Sequence, residues 1–169
     1  GFEVHIVHSA HYETYGRNGK SLTDHWESGM KSLHGINVHG FPNLFILGLA
    51  QGGSLVANVT HNFSESALAI TEMIRGCINN GYNSLEPTVE AERKWVDSLE
   101  VQDRGFLAHC TPGYYNNEGH PTSDGDLFTT ARYPEGSVAF FNYLSDWANS
   151  GKFEGLEFSL DPAIHPNRD

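Results

Sequence analysis

The residues best suited to chemistry fall in two short stretches. The first, Gly48-Leu49-Ala50-Gln51-Gly52-Gly53-Ser54-Leu55, follows the apolar run Leu44 to Leu47 and precedes a helical pattern. Its three glycines let the backbone turn sharply and come close to another group. A strand, glycine turn and helix in series aim N–H groups and the positive end of a helix dipole at one point. That point suits a phosphate, a carboxylate or an electron-rich carbonyl edge. The plainer alternative is a turn needed only to enter the helix.

The second stretch is Tyr114-Tyr115-Asn116-Asn117-Glu118, flanked by Pro112, Gly113 and Gly119. It reads either as a surface loop or as a lid, because loops on a rigid frame often carry function and can close over a site. Glu118 in such an aromatic surrounding could have a raised pKa and serve as a general acid, against the alternative of a solvated glutamate. His5, His8 and His11 recur at steps of three. Zinc ligands on a helix favour i, i+4 spacing or come from two elements, so no metal is expected. No Ser-His-Asp or Cys-His order with supporting spacing appears.

Several elements must position these groups. Phe41-Pro42-Asn43 carries a turn signal, Asn18-Gly19 a tight turn, and Tyr12 to Arg17 a short strand. Leu22 to Leu33 reads as partly helical around Trp26. Ile36 to His39 and Leu44 to Leu47 are expected as strands, the latter covered on both faces because its apolar residues do not alternate. A long helix is expected over Leu55 to Asn80, about 25 residues and roughly 38 Å. Val56, Val59, Phe63, Ala67, Ile70, Met73, Ile74 and Cys77 form its apolar stripe, and Gly81 its stop.

A second helix is expected from Pro87, with Val89, Trp95, Val96 and Leu99 inward, and the acidic stretch Glu86 to Glu92 as its negative first turn. Cys110 to Asp126 is a polar loop. A third helix covers Ser137 to Asn149, with Phe140, Phe141, Leu144 and Trp147 inward. Gly155 to Leu160 alternates like an edge strand, and a mobile tail is expected over Asp161 to Asp169.

Composition narrows the function classes. A net charge of −11 with no Lys/Arg cluster argues against nucleic acid or an anionic membrane as partner. No apolar run reaches the length of a membrane span and no signal peptide is visible, so a cytoplasmic location is expected. Cys77 and Cys110, in unrelated contexts, are expected as reduced thiols. The hydrophobic share of 38%, with ten Phe and seven Tyr, is enough for a core built largely on aromatic rings.

Five ordered blocks resemble the flavin-dependent Baeyer–Villiger monooxygenases. They are Gly1-Phe2-Glu3; Leu22 to Trp26 with Leu33-His34-Gly35; Gly40-Phe41-Pro42-Asn43-Leu44-Phe45; Glu86-Pro87-Thr88 with Glu90-Ala91-Glu92 and Trp95; and Cys110 to Gly119. The resemblance runs to about Leu160. It implies an α/β fold, specifically the C-terminal portion of the FAD domain of a protein with two dinucleotide-binding domains. The lid-like loop at 110–126 belongs to that portion. The dinucleotide fingerprint, the NADP domain and the catalytic arginine of the family are then expected in sequence preceding Gly1.

The resemblance further implies that FAD meets the turn at Gln51, Gly52, Gly53, Ser54 and Leu55. Asn58, Thr60, Tyr114, Tyr115, Asn116 and Asn117 then line the substrate side. FAD and NADPH both need the N-terminal remainder of the enzyme, which is the implied partner together with a small ketone. The implied activity is oxidation of that ketone to an ester or lactone with NADPH and O2. Many members carry a Ser-Trp-Tyr step whose Trp meets the nicotinamide; this chain has Pro112-Gly113-Tyr114, as one branch does. Two alternatives stand beside this reading. One is a family scaffold doing flavin-independent acid–base chemistry such as isomerisation through Glu118. The other is an inert docking fragment.

Overall fold

The computed structural model describes residues 12–48, 51–52, 58–101, 111 and 131–161. Its elements in chain order are a 3-10 turn Arg17–Gly19, α1 (Leu22–His25), α2 (Val59–Asn79), β1 (Ser84–Pro87), α3 (Val89–Ser98), β2 (Glu100–Val101), β3 (Ala131–Arg132), α4 (Gly136–Asn149) and β4 (Leu156–Ser159). The pairs β1–β4 and β2–β3 are both antiparallel and two-stranded.

Local sequence explains where these elements begin and end. The Asn58 side chain caps α2 by accepting from the N–H groups of Thr60 and His61. At the other end Gly81 adopts φ +76, its N–H bonds Ile78 O and the Tyr82 N–H bonds Cys77 O. That is the Schellman pattern, which glycine enters without a Cβ penalty. Thr88 caps α3 through Ala91 N–H. Pro87 ends β1 opposite Leu156 and does not open the helix as expected. In β4, Leu156 and Phe158 are half-buried while Glu157 and Ser159 are exposed, as the alternation predicts.

The main core joins α2, α3, α4 and β1. Met73, Leu85, Leu144 and Ile36 are almost wholly buried beside Trp95, Phe140, Phe141 and Trp147. The expected inner face of α4 is therefore the observed one. Cys77 is a buried free thiol, and burial pushes its pKa up. A smaller cluster of Trp26, Met30, Val38 and Phe41 lies under the turn that follows α1.

Further expectations need correction. Leu44 to Leu47 forms no strand: its ties include Ile46 N–H to Ile36 O (2.8 Å) and Asn37 Nδ2 to Leu44 O (3.3 Å), with no ladder beside it among the described residues. Ile36 to His39 forms no strand either: Ile36 ends a turn, His34 to Ile36, closed by a bridge between Leu33 and Asn37, and Tyr15 makes only an isolated bridge to Ser21. A strand needs a neighbour for its backbone groups, and apolar sequence cannot supply one.

Another correction concerns the faces of the helices. On α2 the buried residues are Asn62, Ser66, Ala69, Met73 and Cys77, whereas Val59, Phe63 and Ile74 of the expected stripe are exposed. The buried face is turned by roughly a quarter of the helix circumference from that stripe. On α3 the inner residues include Trp95 and Glu92, while Val89 is exposed.

Candidate functional site

The glycine turn is reached through a chain of constraints that begins at His39 and Gly40. The Glu92 carboxylate accepts from His39 N–H at 2.7 Å, and Glu86 accepts from Gly40 N–H at 2.9 Å. His39 Nδ1 donates to Pro87 O at 2.8 Å. Arg17 adds its Nε to Glu86 (2.7 Å) and its Nη1 to Asp161 (3.2 Å), tying the start of the described chain to its end. Asp161 is also pinned by both ends of the Asn83 side chain.

The acidic stretch is thus divided. Glu90 lies in the first turn of α3 as expected, but Glu86 on β1 and Glu92 on α3 hold the turn that leads to Pro42. These contacts join residues 46 and 53 positions apart, so no local pattern announces them. Burial pushes the Glu92 pKa up, opposed by the bond from His39. His25 faces Glu92 at 3.8 Å, and burial lowers its pKa to about 4.

Beyond it, Asn43 adopts φ +60 after Pro42, and Leu44 N–H bonds Phe41 O at 3.1 Å. Pro followed by a positive-φ Asn suits a type II turn, which fulfils the expectation at Phe41 to Asn43. The Asn43 side chain then accepts from Leu85 N–H and donates to Asn83 O, so this turn is stitched to β1.

Gln51 arrives in the left-handed region, φ +55, and is buried. Its Oε1 accepts from Ser32 Oγ, its Nε2 donates to Met30 O at 2.7 Å, and its carbonyl accepts from Trp95 Nε1 at 3.0 Å. The side chain points into the protein, leaving the main chain as the part of Gln51 able to meet a ligand. A Cβ on Gly52 would collide with Phe140 Cζ. Packing against α4 therefore accounts for glycine here.

Asn58 is the cap of α2, and Thr60 Oγ1 donates to Asn58 Oδ1 at 2.6 Å. The Thr60 and His61 N–H groups are accordingly spent on the cap. The first turn of α2 holds no acidic residue and the cap is neutral, so the positive end of its dipole is not offset by a carboxylate there. The other sequence-derived candidates, Gly53, Ser54, Leu55, Tyr114, Tyr115, Asn116, Asn117 and Glu118, lie outside the described residues, as do His5, His8 and His11 and Cys110. Among the described residues no group of three or more His, Cys, Asp or Glu could hold a metal ion. None of their helices is long and apolar enough to cross a membrane.

Sequence reasoning missed an aromatic cluster built around Trp95 of α3. His34, at φ +57, is buried among Trp95, Tyr143 and Trp147, and its Nε2 lies 3.0 Å from the Tyr143 hydroxyl. Burial drives its pKa down to about 3. His34, Trp95, Tyr133, Tyr143 and Glu154 help line an open cavity of about 550 Å³. None of the sequence-derived candidates lines it.

No protein-family model matches this chain. Individual proteins do. The chain is 36% identical over 159 residues to a pentalenolactone D synthase of Streptomyces exfoliatus, covering 92% of this chain and 27% of that protein. It is 38% identical over 154 residues to a Baeyer–Villiger monooxygenase of Stachybotrys chlorohalonatus, covering 89% and 24%. Among solved structures, a polycyclic ketone monooxygenase from Thermothelomyces thermophila superposes with a TM-score of 0.73 at 30% identity, covering 88% of this chain and 24% of that one. The chain spans about a quarter of the length of the relatives it matches.

Proposed function

The chain belongs to the Baeyer–Villiger monooxygenase family and matches a C-terminal portion of its members, and from that premise we propose that the complete protein oxidises a ketone to an ester or lactone with NADPH and O2. The observation that carries the proposal is the match to such enzymes over about nine-tenths of the chain. Within that enzyme this chain forms one wall of the flavin and substrate site. The fold class is that of an α/β portion of a flavoprotein with two dinucleotide-binding domains.

FAD, when bound, supplies the redox chemistry that places one oxygen atom beside the ketone carbonyl. The chain's own part is to hold the main chain at Gln51 and Gly52 and to present the uncompensated positive end of α2. Both suit the electron-rich edge of a reduced flavin, whose negative charge a helix N-terminus stabilises. The first-turn N–H groups at Thr60 and His61 serve Asn58, so donors to the flavin come from the main chain ahead of the cap. Tyr114 to Asn117 border the substrate as a lid, and NADPH binds largely on the N-terminal remainder.

That remainder is the proposed partner of the exposed apolar residues Val59, Phe63, Ile74 and Ile78 on α2. We place the assembled protein in the cytoplasm. Acid–base chemistry through Glu118 is not favoured, because the relatives matched are monooxygenases by name.

The test is to supply the complete protein with NADPH, O2 and a panel of ketones. The expected result is ketone-dependent NADPH consumption with a product that has gained one oxygen atom. Turnover without NADPH or O2 would overturn the proposal.

A further inference from the structure

We infer that Trp95 and Ser32 act through Gln51 as positioning residues for the flavin edge. The inference rests on the reading that the glycine turn borders the flavin. A turn that merely needs positive φ is met at least cost by glycine, because a Cβ resists that region. Here the position at φ +55 is a glutamine with 3% of its surface exposed. Its side chain is used at both ends, on Ser32 Oγ and Met30 O, and its carbonyl takes the Trp95 indole N–H.

The anchors come from different parts of the chain. Ser32 is fully buried and its Oγ also accepts from Gly35 N–H at 3.1 Å. Trp95 sits in α3, ringed by Tyr133, Tyr143 and Phe140. The next residue, Gly52, is pressed against Phe140 of α4. The direction of the main chain entering the turn is therefore set by side chains, and it cannot swing without breaking buried hydrogen bonds. Such a tether is unnecessary for a connection between two elements. It is what a main chain needs when its N–H groups must stay aimed at a rigid planar ligand.

The experiment uses the complete, flavin-loaded protein. Trp95→Phe removes the indole N–H while keeping an aromatic ring, and Gln51→Gly keeps the backbone region while removing the tether. Trp147→Phe is the matched control, because Trp147 packs on the same His34 ring as Trp95 and its Nε1 makes the same kind of bond, but to Glu154 O at 3.0 Å and not to Gln51. The readouts are the thermal midpoint, the flavin absorption spectrum and the division of the NADPH consumed between turnovers that yield ester and water and turnovers that release hydrogen peroxide.

The two tryptophan variants are expected to lose similar thermal stability. Only Trp95→Phe and Gln51→Gly are expected to shift the flavin spectrum and to raise the peroxide share by about threefold or more, since small misplacements cost much in oriented reactions. Wild-type flavin behaviour in both, with Gly53→Val lowering flavin occupancy, would overturn the tether and leave the flavin wall standing. Wild-type occupancy in Gly53→Val as well would overturn the flavin wall and the tether with it. The same flavin change in Trp147→Phe would also overturn the tether, by tracing the effect to general loosening of the core.

Discussion

At Glu92 burial and hydrogen bonding pull in opposite directions. Burial penalises the carboxylate, while the His39 N–H at 2.7 Å demands an acceptor. Glu92→Gln keeps the acceptor without the charge and is expected to change stability by less than about 1 kcal/mol. Glu92→Leu strands that N–H and is expected to cost about 1–3 kcal/mol; urea unfolding of both variants separates the two terms. His34 carries a pH dependence of definite sign. Its folded pKa of about 3 lies below the ordinary imidazole value of 6.5, so the unfolded state binds the proton first as pH falls. The stability it confers is complete above about pH 6.5 and declines by about 1.4 kcal/mol per pH unit below it, down to its folded pKa. His25, at about 4, adds in the same direction; Glu92, raised, acts in the opposite one. His34→Asn tolerates the positive φ without titrating, and it is expected to flatten the fall in urea midpoint between pH 6.5 and 4.

Among the elements, α2 owes its start to one side chain. Asn58→Ala removes an acceptor for two N–H groups and is expected to lower stability by about 1 kcal/mol, read in thermal unfolding. A substrate contact at Asn58 would add a change in KM that the capping role does not produce. Packing between the turn and α4 is as specific. Gly52→Ala drives a methyl group into Phe140 and is expected to cost about 1–3 kcal/mol. Phe140→Leu makes room for that methyl, so the double variant is expected to be more stable than the sum of the two single losses allows. Simple additivity in the double-mutant cycle would show that the turn moves away from α4 instead.

At the scale of the whole molecule, α2 carries apolar residues, Val59, Phe63, Ile74 and Ile78, that the core formed by the described residues leaves exposed. Phe63→Asp replaces an exposed ring and is expected to shift the isolated chain by no more than about 0.5 kcal/mol, as surface changes do. In the complete protein the same change is expected to destabilise by several times that amount, through burial of an unpaired carboxylate. Equal effects in both would mean that the face stays open in the assembled enzyme. The isolated chain is also expected to bind FAD weakly, since it contains no Gly-x-Gly-x-x-Gly to hold the pyrophosphate. Submicromolar binding in a titration followed by flavin absorbance would contradict this.

Features settled within a few residues were legible before any tertiary structure. The Pro42-Asn43 turn, the Gly81 stop, the inward face of α4 and the alternation of β4 each depend on backbone sterics or on periodicity along one element. The family could also be read this way, because its motifs keep their order along the chain. Features that join distant residues were not legible. Nothing near Gln51 in sequence says that its side chain turns inward to Ser32 and Met30, or that Trp95 caps its carbonyl. Nothing near Glu86 and Glu92 says that they hold His39 and Gly40. The apolar stripe of α2 is present in the residues, yet which part of it the core covers depends on where α4 and β1 lie. Local chemistry determines turns, caps and periodicity; burial and hydrogen-bond partners belong to the arrangement of the elements, which only the tertiary structure decides.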